Sequence, residues 1–174
     1  AIAQPASDAV FEKIIKEYIL NDDGSIDFRS YKKLKLLTHY SFNRLYGETF
    51  IVYDPLHQTL KINQSIVTQK DGKVVNAPSN AFNEVLPQFA ADAPYYKHLR
   101  EMVVTHAGLE QEAVIELDYT IHSDSAYLPA LMGDEILTES SPVDEEIIII
   151  KVPQWYDLYY KVLNLRTAPE ITKA

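Results

Sequence analysis

The side chains that could do chemistry here are five histidines, many serines and carboxylates, and twelve tyrosines; the 174 residues hold no cysteine. The missing thiol excludes a cysteine nucleophile, thiolate metal sites and disulfides within this chain. His39, His57, His98, His106 and His122 lack the His-x-x-x-His spacing of a helical zinc site. His39 and His106 each follow a threonine at the end of an expected strand. Folding could bring the two together, with Glu101 beside them, but a strand-end hydrogen bond is the simpler role for each. A serine triad needs a base and an orienting acid, and no Gly-x-Ser-x-Gly elbow occurs. Glu116 and Asp118 fall on one face of a strand, at a separation that a glycosidase pair could use. Same-face neighbours meet that distance by accident, so a solvated face is expected. These patterns assign no catalytic residue, no metal ligand and no cofactor.

The aromatic residues offer a different chemistry. Tyr95-Tyr96 form one cluster, and Trp155, Tyr156, Tyr159 and Tyr160 form another. Stiff amphipathic rings suit packing along a sandwich and its end loops, and equally suit contact with a protein, peptide or sugar. Of the two, Trp155 to Tyr160 is the candidate interface, because it lies nearest whatever follows the chain. Asn63-Gln64-Ser65 has the form of a glycosylation sequon, which a bacterial origin would make irrelevant.

The elements that position these groups are β-rich. In Glu112 to His122, Ala113, Ile115, Leu117, Tyr119 and Ile121 share one parity, and Val114, Glu116, Asp118, Thr120 and His122 the other. That alternation predicts a strand with one buried and one wet face. Leu99 to His106 is a second apolar run, joined to the first through Gly108, and the two read as a hairpin near the centre of a sheet. Asp23-Gly24 and Asp71-Gly72 stand between β-favouring runs and predict two further hairpins, since glycine accepts the positive φ of the turn. Ile26, Phe28, Leu34 and Leu36 share a face of the arm after Gly24. Phe11, Ile14, Ile15, Tyr18 and Ile19 also fit helical spacing, so a helix over 9–19, capped by Ser7 or Asp8, competes with a strand there. Thr38 to Gly47 reads as a short helix or loop, Thr49 to Tyr53 as a strand buried on both faces, 59–69 as a strand, and Asn80 to Leu86 as one or two helical turns. Pro87 to Pro94 is a loop. Ser123 to Pro142 is polar and broken, anchored by Tyr127, Leu128, Leu131 and Met132. Ile147 to Ile150 predicts a buried strand, and Tyr159 to Leu163 a last one. Together these give an all-β sandwich with a little helix.

A hydrophobic content of 47% supports a real core in one domain of this length. The net charge of -9 argues against nucleic acid. Lys32, Lys33 and Lys35 are the densest basic run and read as a solvated sheet edge. No apolar run approaches a membrane span. Ala1-Ile2-Ala3 looks like the end of a secretory signal, with Gln4 as the mature start; a mere chain boundary explains it equally well.

Leu45-Tyr46-Gly47-Glu48-Thr49-Phe50-Ile51-Val52-Tyr53-Asp54-Pro55, Lys70-Asp71-Gly72-Lys73-Val74-Val75, Asn80-Ala81-Phe82-Asn83-Glu84-Val85, Leu109-Glu110 and Ile115-Glu116-Leu117-Asp118-Tyr119-Thr120 follow one another in order. Over residues 8 to 165 this series resembles a bacterial domain of unknown function found N-terminal to transglutaminase-like (papain-type) domains in exported proteins. The resemblance implies an immunoglobulin-like β-sandwich with one or two short helices, a periplasmic or secreted location, and a transglutaminase-like domain beyond Ala174. It carries over no catalytic residue. The division it suggests is a tail over 1–7, the sandwich over 8–165, and a linker over 166–174. The expected role is a non-catalytic accessory domain that positions or shields a peptidase or amidase domain or presents its substrate. The rival is a self-contained carbohydrate- or peptide-binding module.

Overall fold

The computed structural model describes residues 6–164 and residue 170; the Ala1-Ile2-Ala3 motif, and the 166–174 linker apart from Glu170, lie outside them. The described strands are β1 (Ala9–Leu20), β2 (Ile26–Leu36), β3 (Glu48–Tyr53), β4 (Gln58–Thr68), β5 (Val74–Asn76), β6 (Phe82–Val85), β7 (Arg100–Thr105), β8 (Val114–Ser123) and β9 (Glu146–Lys151). They form a six-stranded sheet ordered β5-β4-β8-β2-β1-β9 and a three-stranded sheet ordered β3-β7-β6. With short helical turns at Ser41–Leu45, Ser79–Ala81, Gln88–Ala90 and Pro94–Tyr96, this is an all-β sandwich.

Residues 9–19 are a strand. The helix-like spacing of Phe11 and Ile14 comes from a bulge in the pairing of β1 with β2 between Phe11 and Lys13. The extra residue resets the parity, so that Phe11 and Ile14 both face the core. Both Asp-Gly hairpins form. Gly24 and Gly72 have φ of +84° and +86°, and the amides of Ser25 and Lys73 each donate to the aspartate two residues back.

Other expectations are corrected. β7 and β8 are not a hairpin: β7 lies between β3 and β6 in the small sheet, and β8 between β4 and β2 in the large one. The linking Gly108 has φ +79° and packs so tightly that a Cβ there would lie 2.9 Å from Val75 Cγ2. The connection is therefore a tight crossing between layers. The lysine run is on no edge, because β2 is an inner strand; Lys33 pairs with Glu12 at 3.1 Å and Lys32 with Glu139 at 3.0 Å. β3 is buried on one face only, at Ile51. The isoleucine run forms β9, a partly exposed edge strand parallel to β1. Residues 82–85 extend as β6 after a single helical turn. Residues 159–163 form no strand, and Met132 is exposed and does not anchor its segment.

The small sheet leaves part of the core face of β1 and β2 to the irregular segment 124–145. Lys16 shares that face with Ile14, and its Nζ lies 2.7 Å from Glu135 and 3.3 Å from Glu146. Tyr18 donates its hydroxyl to Glu135. A strap of backbone is thus held over the core by carboxylates turned inward.

The two glycines give a graded prediction. Gly72 faces open space, so Gly72→Ala should cost only the positive-φ strain, about 1–2 kcal/mol. Gly108→Ala adds the clash with Val75 and should cost more. Urea unfolding of both variants checks the order; equal losses would refute the tight crossing.

Candidate functional site

A cavity of about 140 Å³ lies between the sheets, lined among others by Phe11, Lys32, Tyr46, Thr49, His106 and Glu139. His106 is its notable group. It is 7% exposed, its Nε2 lies 2.9 Å from Thr49 Oγ1, and its Nδ1 has no hydrogen-bond partner among the described residues. Burial pushes its pKa down to about 4, so the ring is neutral near pH 7. A hydroxyl beside a neutral imidazole is two-thirds of a triad. The missing third is an acid on Nδ1 to fix the tautomer and stabilise the imidazolium.

His39 does not join it. Its ring packs edge-on to Phe42 and its Nδ1 lies 2.8 Å from the Asn43 amide nitrogen. Glu101 has no ion pair among the described residues. The other histidines face aspartates: His122 lies 2.7 Å from Asp27 and His57 3.1 Å from Asp124 at the surface, and His98 lies 3.6 Å from the buried Asp54. Among the described residues, no group of three or more His, Asp or Glu side chains could hold a metal ion. No described helix is long and apolar enough to cross a membrane.

The Glu116/Asp118 pair is not a solvated face at Asp118, which is 7% exposed and more buried than Glu116. Arg29 Nη2 reaches it at 2.6 Å and Arg29 Nε at 3.1 and 3.2 Å. Asn63, the extra residue of a bulge in β4, adds a bond of 3.0 Å. Burial raises the Asp118 pKa, but these hydrogen bonds outweigh it and hold the carboxyl below its ordinary value. Glu116 accepts from Tyr31 at 3.3 Å. Neither carboxylate is free for acid–base work.

The C-terminal aromatics lie on an extended segment at the end of the sandwich that carries the β1–β2 turn. Trp155 Nε1 is 3.3 Å from Asp22, and the Tyr156 hydroxyl is 3.5 Å from the Leu131 carbonyl. The Trp155 and Tyr156 rings meet edge-on at 5.9 Å. Trp155, Tyr159 and Tyr160 are exposed, Tyr159 to 90%. Tyr95 and Tyr96 are exposed as well, and Tyr96 meets Phe89 edge-on.

Two features escaped the sequence reading. One is the strap latch, whose partners lie more than a hundred residues apart and leave no local signal. The other is the outward face of β3, β7 and β6, where Phe50, Val52 and Val85 are exposed. Its signal was present in the unbroken apolar run from Thr49 to Tyr53.

No curated protein matches this chain. Among solved structures, the chain is similar to a crystal structure of a "putative protease" from Parabacteroides distasonis, at 53% identity and a TM-score of 0.83. The match covers 86% of this chain and spans only 30% of that protein. A CBM3a-L domain from a cellulosome scaffoldin of Clostridium thermocellum aligns at 12% identity and a TM-score of 0.40, over 76% of this chain and 82% of that one, and says nothing of function. Residues 22–174 match the model of a domain of unknown function with a solved structure, DUF3857, and the chain belongs to that family.

Proposed function

We propose that this chain is a non-catalytic accessory domain of an exported, transglutaminase-like peptidase or amidase, which positions or shields the catalytic domain or presents its substrate. The observation that carries this is the ratio of coverages: most of this chain corresponds to under a third of a longer protein described as a "putative protease". Papain-type acyl transfer needs a thiolate with a neighbouring histidine. This chain has no cysteine, so the nucleophile of such an enzyme would come from another part of the polypeptide. Among the described residues the His106–Thr49 pair has no orienting acid, and the paired carboxylates are engaged. Trp155, Tyr156, Tyr159 and Tyr160 are proposed as contacts to the following domain, in a periplasmic or secreted protein.

The purified chain should turn over no peptide, ester or glutamine amide, with or without added zinc. Turnover that survives repurification and vanishes with one point mutation would overturn the reading. The natural reading frame separates it from its rival: a long extension carrying Cys and His supports the accessory role, and a stop near residue 174 supports a self-contained glycan- or peptide-binding module. In the longer polypeptide, Trp155→Ala should lower stability or activity; no change in either would remove the case for an interface there.

A further inference from the structure

We propose that the outer face of the β3-β7-β6 sheet is the seat of the catalytic domain that follows in the longer polypeptide; this rests on the accessory-domain reading and names its main contact. In register, Phe50 stands opposite Val103, and Val52 and Val85 flank Glu101 from either side. The alternate residues Ile51, Met102, Val104 and Phe82 pack into the core, so the first set points outward. Phe50 is 58% exposed, Val85 42% and Val52 38%. The outward face of an antiparallel sheet is ordinarily polar. Here Phe50, Val52, Val103 and Val85 are presented across three strands with Glu101 and Asn83 set among them, and the run Thr49 to Tyr53 has the composition of a strand covered on both sides. The core covers one of those sides; the other is open among the described residues.

The occupant follows from charge and from where the chain leads. Glu101 lies amid the valines with no cation paired to it among the described residues, and Glu48 stands at the corner beside Thr105. The complementary surface is apolar with a lysine or arginine set against Glu101. β3 ends at Tyr53, and through Asp54 the chain enters β4 at Gln58, which aligns with Ser123 and, through it, with Ile26 at the β1–β2 turn. Trp155 touches that same turn at Asp22. Trp155 therefore stands at the end of the sandwich where Val52 and Val85 lie, which puts a domain following in the longer polypeptide within reach of this face. In the longer Parabacteroides protein, 70% of the length lies outside the match and is available as such a neighbour.

The test uses the natural longer polypeptide, together with this chain and the remainder expressed apart. Side-chain labelling by hydroxyl radicals should fall at least threefold at Phe50 and Val85 on going from the isolated chain to the longer polypeptide, and stay level at Val74 and Ile136. Titration of the remainder with this chain should weaken at least tenfold for Phe50→Thr with Val85→Thr. Glu101→Gln should weaken it severalfold and flatten its salt dependence. Both threonines are β-favouring and replace exposed residues, so urea unfolding of the isolated chain should be unchanged. Unchanged labelling, or no effect of these variants, would overturn the docking face while leaving the accessory role standing. Concentration-dependent dimers of the isolated chain, lost with Phe50→Thr, would assign the face to a second copy instead. A natural reading frame without a following domain would end both proposals.

Discussion

Leu117→Ala is expected to lower the stability of the domain by roughly 2–5 kcal/mol, the cost of stripping a buried leucine to its Cβ. Leu117 is 3% exposed at the middle of β8, which is an inner strand of the six-stranded sheet. It is paired to Lys32 on one side and Ser65 on the other. It packs in one cluster with Ile51 and Val104 of the opposite sheet and Ile121 of its own strand. It also lines the cavity between the sheets, so truncation enlarges an existing void, and the strand, fixed on both sides, cannot sink to close it. The loss should lie toward the upper part of the range. Glu116→Ala, one residue away on the opposite face, should stay within about 0.5 kcal/mol, since it removes one long hydrogen bond from Tyr31. Urea unfolding with an unchanged m-value checks the pair. A loss below about 1 kcal/mol for Leu117→Ala would mean that this face is not the core.

The same strand shows what a sequence can and cannot reveal. The parity of Ile115, Leu117 and Ile121 is a local property, set by the alternation of side chains, and it places all three inside. Parity does not say what lies above the other face. Asp118 is buried there because Arg29 arrives from a neighbouring strand and Asn63 from a bulge in another, and no pattern within β8 encodes either. The Asp-Gly turns were legible for the opposite reason: the positive φ of Gly24 and Gly72 and the aspartate hydrogen bonds lie within four residues. Partner choice was the least legible quantity. β7 and β8 are adjacent in sequence and look like a hairpin, yet each finds its partners elsewhere, because Gly108 turns the chain between layers. The four isoleucines mark a strand but not its place at an edge. Of the candidate site, the C-terminal aromatics were named from composition; Trp155 and Tyr156 meet edge-on, and Trp155, Tyr159 and Tyr160 are exposed. The outer face of the small sheet was hidden by a correct observation read too far: Thr49 to Tyr53 has the composition of a doubly buried strand, and only one face is covered within the described residues.

The largest pH effect on the acid side of neutrality should come from His106. In the folded chain burial holds its pKa near 4, against 6.5 for an ordinary histidine. Between those two values the unfolded chain binds a proton that the folded chain refuses. Stability is therefore complete above about pH 6.5, declines as the pH falls toward 4, and levels off below it as far as this residue is concerned. Each pH unit in that window can remove at most about 1.4 kcal/mol, so the ceiling on the whole loss is roughly 3 kcal/mol. Asp118 acts in the same direction but in a different window. Its carboxyl is held below the ordinary aspartate value, so its contribution is present above that value and is lost as the pH falls through the lower, folded one. The two are separated by a variant that cannot titrate. His106→Gln keeps an amide able to reach Thr49 and has no proton to gain, so its stability should be nearly flat between pH 6.5 and 4 once the loss shared with wild type is subtracted. Wild type should start above the variant at pH 7 and lose most of that margin by pH 4. By NMR, the His106 ring should stay neutral as the pH is lowered from 6.5 and take up its proton only near pH 4. A His106 resonance titrating near 6.5, with parallel stability curves for wild type and His106→Gln, would show that the imidazole reaches water and that the space between the sheets is open to it.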